Sequence, residues 1–180
     1  MRTLVGTVAL AGVLLLAGCD GGTPIPTLPP TPSATPIFAS EEEALAAAEQ
    51  AYEAYREMSD LISGEGGVEP ERIAPYVTDD RLTDELRGFQ TLREAGLRIA
   101  GEATFKVLDL QRYEEVAGDA EVVFYACSDL SGSRVLDANG VDVTPVDRVD
   151  RLVLEVVVRT VGGSKPLLLE SDNSWPGETC

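Results

Sequence analysis

The chain has 180 residues, room for one ordinary domain with a leader or tail and little room for two. Its 14 Lys and Arg against 31 Asp and Glu leave a formal charge of −17, a field that repels nucleic acid and acidic lipid. The absence of His removes the commonest neutral-pH acid/base and the commonest metal ligand, and 6% aromatic residues are too few for base- or sugar-stacking platforms. Neither a metal nor another cofactor is expected.

Arg2 supplies a positive start, and residues 4–16 follow as an uncharged apolar run. That run is shorter than the roughly 20 residues that span a bilayer, so it reads as the apolar region of an export signal. It closes on Leu16-Ala17-Gly18-Cys19. These four residues resemble the bacterial lipobox, and the resemblance implies that Cys19 is lipidated and becomes the mature N-terminus after removal of residues 1–18. Acyl chains contribute roughly 0.8 kcal/mol per buried CH₂, so two or three anchor a protein firmly without a helix. The expected location is the extracytoplasmic face of the cell membrane. The acidic domain would be repelled by an anionic surface and held there by lipid alone.

Residues 19–39 read as the lipidated Cys and a disordered linker, with Pro24, Pro26, Pro29, Pro30, Pro32 and Pro36 among Thr, Gly and Ser. So many missing N–H groups prevent a ladder of backbone hydrogen bonds and favour extended polyproline II. Residues 40–180 carry the patterning of a folded domain.

Ser40-Glu41-Glu42-Glu43 is a capping box with acids at the positive end of a helix. Leu45, Ala48, Tyr52, Tyr55 and Ile62 recur at helical spacing, with Met58 beside them and Glu49, Glu53, Glu57 and Asp60 facing away. Gly64, Gly66 and Gly67 end that helix. A short helical turn is predicted from Pro70, stopping before Pro75. A further helix starts near Asp79 or Asp80, with Leu82, Leu86, Phe89 and Leu92 as its stripe and Gly96 as its cap.

Beyond Gly96 the period changes to that of strands, predicted over residues 99–110, 120–129, 148–161 and 167–171, with short strands near Val135 and Val141. Ala117-Gly118-Asp119 and Gly162-Gly163 sit where hairpin turns belong. Helices first and strands after mean α+β, with helices covering the apolar face of a curved antiparallel sheet. The first-helix stripe, residues 69–77 and the strand pairs together resemble the NTF2-like cone. The whole chain, with its lipobox, Thr/Pro stalk, single domain and Trp near a terminal Cys, is similar to small lipoproteins common in actinobacteria. The resemblance implies architecture; such cones host both enzymes and binding modules.

With Cys19 assigned to lipid, Cys127 and Cys180 remain. Two exported thiols point to one disulfide, with a bond from Cys180 to another chain as the competitor. The bridge would pin the C-terminal tail and Trp175 against the sheet. Cavity-lining candidates are Tyr52, Tyr55, Tyr125 and Trp175. An NTF2-like cyclase or isomerase would need a buried carboxylate, for which Asp129 and Glu155 are available, beside Tyr52, Tyr55, Tyr113 or Tyr125. Asp137, Asn139 and Asp142 have the wrong Gly offset for an EF-hand loop and read as an Asn-Gly turn. The functional expectation is a non-enzymatic module that binds a protein, a peptide or a small apolar ligand; the cyclase or isomerase is the alternative.

Overall fold

Ser40 opens the first helix. Its Oγ accepts the Glu43 N–H at 3.2 Å, and Glu43 Oε2 accepts the Ala39 N–H at 2.9 Å, one residue earlier than a strict capping box. The computed structural model describes residues 35–176 and 180. The leader, Leu16, Ala17, Gly18 and Cys19, and the linker as far as residue 34 lie outside these. Among the described residues, no helix is long and apolar enough to cross a membrane.

Helix α1, Glu41–Gly64, buries Ala44, Ala48, Tyr52, Tyr55 and Ile62 and leaves Glu49, Glu53 and Glu57 exposed. Asp60, expected on the solvent face, is half-buried, because the far end of the helix is covered on that side as well. The linker predicted to run to residue 39 stops short of that, because Ile37 and Phe38 already pack against the folded body. Phe38 is buried and meets the Tyr113 ring edge-on at 6.0 Å.

After α1 the chain reverses through Gly66 and Gly67. At Gly67, φ is +78° and a Cβ would come within 2.3 Å of the Phe89 carbonyl oxygen, so only glycine lets the two helices meet. The 3₁₀ helix Pro70–Tyr76 then runs through Pro75, where a stop was predicted. Proline's fixed φ suits a 3₁₀ turn, so Pro75 forfeits one hydrogen bond without breaking the geometry. Helix α2, Asp79–Glu94, is capped by Thr78, whose Oγ1 accepts the Arg81 N–H at 3.4 Å. Of its predicted stripe only Phe89 is fully buried; Leu82, Leu86 and Leu92 are half-buried. Helix α2 therefore lies along the edge of the core.

The strands are β1 Arg98–Gly101, β2 Thr104–Val116, β3 Asp119–Asp129, β4 Ser133–Leu136, β5 Arg151–Val161 and β6 Ser164–Ser174. The strand predicted over 99–110 is two strands in two sheets. Gly101 has φ +85° and would place a Cβ 2.1 Å from the Gly132 oxygen, so the chain turns there against β4. Strands β1 and β4 form an antiparallel pair, and β2-β3-β5-β6 form a four-stranded antiparallel sheet. Near Val141 there is only an isolated bridge, Leu136 to Asp142, where a strand was predicted. The β2–β3 and β5–β6 hairpins turn on Ala117-Gly118 and Gly162-Gly163, all four residues at positive φ as type I′ turns require.

One face of the larger sheet meets the helices. Val122, Phe124 and Ala126 of β3, Val156 and Val158 of β5 and Leu167 and Leu169 of β6 pack against the buried stripe of α1, Ile73 and Phe89. Thr160 is buried among them with its hydroxyl satisfied: Oγ1 accepts the Ala120 N–H at 2.8 Å and donates to Asp119 Oδ1 at 3.2 Å. The free edge of β6 is capped by a parallel bridge to Val77, where the Thr78 N–H donates to the Leu169 oxygen at 2.9 Å. The fold is α+β, with three helical segments on a four-stranded antiparallel sheet.

Candidate functional site

Tyr52 and Tyr55 are three apart on α1, so both project from its buried face towards α2 and β6. The first turns of α2 answer with Arg81 and Glu85, one turn apart, and β6 supplies Asp172. Arg81 Nε donates to Glu85 Oε1 at 2.8 Å and its Nη2 to Asp172 Oδ1 at 2.6 Å. Tyr55 donates to Glu85 Oε1 at 2.9 Å and Tyr52 to Asp172 Oδ2 at 3.3 Å. Two tyrosines, two carboxylates and one guanidinium thus form a chain of bonds across three elements.

Burial raises the Asp172 pKa, against the pull of the adjacent Arg81 charge. Burial also drives both phenols well above their ordinary range, with the Asp172 charge adding to the effect. The tyrosines therefore stay protonated donors. Asp172 has one oxygen on Arg81 and the other on Tyr52, which fixes its orientation and leaves one lone pair on each oxygen. Arg56, half-buried beside Tyr52, adds positive charge at the other side of the phenol.

The inner side of the network, around Tyr52, is filled, while its outer side borders a surface groove. The Tyr52 ring meets Phe105 edge-on at 4.9 Å and Phe124 at 6.0 Å. Among the described residues no buried side-chain nitrogen or oxygen lacks a hydrogen-bond partner, and no cluster of acids or cysteines is arranged to hold a metal. Two concave features lie on the surface. One groove of about 410 Å³ opens above Tyr55, Arg81 and Glu85, with Phe89, Leu92 and Ile99 as its apolar wall. Another, of about 450 Å³, runs outside α1 along Ala47, Ala51 and Ala54, with Tyr76 and Leu167 opposite and Phe38 contributing.

The four cavity-lining candidates separate into two places. Tyr52 and Tyr55 lie under the helices. Tyr125 and Trp175 lie against the other face of the sheet, ring centroids 5.0 Å apart. Strand alternation is the cause: Phe124 and Ala126 of β3 face the core, so Tyr125 and Cys127 between them face outward. These four do not line one cavity. Cys127 and Cys180 lie at disulfide distance, S–S 1.99 Å and Cα–Cα 5.8 Å, on that same outer face. Asp129 accepts the Arg151 Nε at 2.9 Å and caps its own turn through the Ser131 N–H, while Glu155 pairs in register with Tyr125. Tyr113 is bonded to Phe38 and Glu115. Asp137 Oδ1 accepts the Asn139 and Val141 N–H groups at 2.8 Å each, the bonds of a turn.

Arg81, Glu85 and Asp172 were not among the sequence candidates. Arg81 and Glu85 carry a faint signal, an ion pair at i,i+4 bordering the Leu82 and Leu86 stripe. Asp172 carries none. Leu167 and Leu169 set an odd-numbered inward phase, and simple alternation would turn Asp172 outward. The register breaks instead: Val158 pairs with Leu169 but Val157 with Ser171, so a bulge at Glu170 shifts the phase and places Asp172 opposite inward-facing Val156.

No family model matches this sequence, and no curated protein matches it significantly.

Proposed function

We propose that the chain is an extracytoplasmic lipoprotein, lipid-anchored through Cys19, whose NTF2-like domain is a non-enzymatic binding module for a protein, a peptide or a small apolar ligand. The anchor rests on Arg2, the apolar run and Leu16-Ala17-Gly18-Cys19. The cone rests on the order of helices and the long β2-β3-β5-β6 sheet. The observation that carries the non-enzymatic reading is the packed layer between helices and sheet, where Tyr52, Ile62, Ile73, Phe124 and Leu169 are almost wholly excluded from solvent, which leaves the surface groove over Tyr55, Arg81 and Glu85 beside the network. A catalytic cone needs an open chamber around its carboxylate.

One observation favours the cyclase or isomerase reading, namely Asp172 held near the Tyr52 hydroxyl with its pKa raised by burial. The Arg81 ion pair weighs against it, because the adjacent positive charge lowers the basicity of the carboxylate. Incubation with an extract of envelope metabolites separates the two. Bound compounds are recovered unchanged if the domain is a binding module. A compound consumed by the parent and spared by Asp172→Asn contradicts that reading. For the anchor, Cys19→Ser should release the protein to the medium, and retention on the membrane contradicts lipidation.

A further inference from the structure

Glu85 uses only half of its carboxylate inside the protein. Oε1 accepts from Arg81 Nε at 2.8 Å and from the Tyr55 hydroxyl at 2.9 Å. Among the described residues nothing bonds to Oε2, although the side chain is only 10% exposed. No buried side-chain oxygen among these residues is unpaired, so Oε2 reaches solvent, and it does so where Glu85 lines the groove between α1, α2 and β1. Gly88, about one turn further along α2, lines the same groove. It lies in the helix interior, where glycine is less stable than alanine. A Cβ there would meet nothing within 4 Å, and the φ is not positive, so neither packing nor backbone geometry requires glycine. Its missing side chain keeps the groove open on the stretch of α2 from Glu85 to Leu92.

Chemistry narrows the occupant. An unmatched acceptor on a side chain so nearly buried calls for an N–H or O–H donor, and a charged donor gains most. Among the described lining residues there are two carboxylates, Glu85 and Asp84, and one guanidinium, Arg81, which already pairs with both Glu85 and Asp172. Asp84 pairs in the open with Arg87. The −17 charge of the chain favours the approach of a cation. A guanidinium fork needs two oxygens and would find one, since Oε1 already accepts twice; a compact ammonium needs only one. The volume of about 410 Å³ lies at the lower end of the small-molecule range, roughly 300–1,000 Å³, which suits a compact ligand better than an extended peptide. We infer that this groove binds a small primary amine, its ammonium donating to Glu85 Oε2 and its apolar body lying over Gly88 against Leu92 and Ile99. The inference deepens the reading of the domain as a binding module and rests on it.

The test uses the full chain with Cys19→Ser, purified without detergent. 2-Phenylethylamine, protonated at about pH 7 as a lysine is, is titrated by calorimetry, with backbone amide resonances followed by NMR. Saturable one-to-one binding is expected, with shifts at Glu85, Gly88 and Leu92. The N,N,N-trimethyl derivative, charged but without an N–H, and the neutral 2-phenylethanol should each bind at least about tenfold more weakly. Glu85→Gln keeps an acceptor for Arg81 and Tyr55 and replaces Oε2 by a donor. It should weaken the amine at least about tenfold and leave 2-phenylethanol unchanged. Gly88→Leu fills the groove from an exposed helix position, and should abolish binding while raising the unfolding temperature. No saturable binding, equal binding of either control compound, undiminished binding by Glu85→Gln or Gly88→Leu, a Gly88→Leu protein less stable than the parent, or tighter binding of a short acetylated lysine peptide overturns the inference. Each of these leaves the binding-module reading standing. Chemical conversion of the amine by the protein overturns that reading itself.

Discussion

The two faces of the four-stranded sheet are closed by different physics. On the inner face, Phe124, Val156, Val158 and Leu169 are buried under α1 and the 3₁₀ helix, and the polar groups that reach this layer bond to one another. On the outer face no helix packs among the described residues; Tyr125 is covered by Trp175, and Cys127 is joined to Cys180. The inner face is stabilised by area removed from water, so it depends on shape. The outer face is stabilised by a crosslink across 53 residues, so it depends on oxidation. The second device persists in an oxidising compartment and is lost in a reducing one.

That contrast can be broken most forcefully from the inside. Phe124→Ala removes a fully buried ring and should cost about 3–5 kcal/mol in denaturant unfolding, with the emission of Trp175 unchanged below the transition. Cys180→Ser, or reduction of the parent, should cost about 2–4 kcal/mol and also shift the Trp175 emission to the red as its cover loosens. Trp175 is the only tryptophan, so the two signals are clean. If Cys180→Ser leaves both stability and emission untouched, the outer face does not depend on the crosslink.

Smaller effects sharpen the inner face. Ser40→Ala removes the cap of α1 and should cost about 1 kcal/mol by the same unfolding measurement. The smallest effect is the pH dependence due to Asp172, whose charge Arg81 largely offsets. Its folded pKa is raised by burial, so the folded state holds this proton more tightly than the unfolded chain does. Its contribution is present below the ordinary carboxylate pKa and lost as pH rises through the folded value. Asp172→Asn should therefore remove part of the fall in stability as pH rises above the ordinary carboxylate range, about pH 4. A steeper fall in the variant contradicts the assignment.

Much of the inner face was legible in the sequence because its signals are local. The Ser40 cap and the Tyr52, Tyr55 and Ile62 stripe are fixed by neighbours three or four residues away. The two glycine hairpins declare themselves equally well. What escaped depends on distant partners. Gly101 ends a strand because Gly132 lies against it, and Phe38 joins the core because Tyr113 waits there. The bonded network was half-visible: its tyrosines lie on a readable stripe, while Asp172 reaches it through a bulge that alternation cannot foresee. The placement of Tyr125 and Trp175 together on the outer face was hidden for a related reason. Strand β3 carries apolar residues on both faces, so its sequence gives no sign of which way it points.

Intact mass spectrometry of the mature protein taken from its own membrane tests the account most directly. The predicted species begins at Cys19, carries the added mass of acyl chains, and gains the mass of two hydrogens on reduction as Cys127 and Cys180 part. A chain that starts with a bare Cys19, or still carries residues 1–18, contradicts the anchored binding module proposed for this protein.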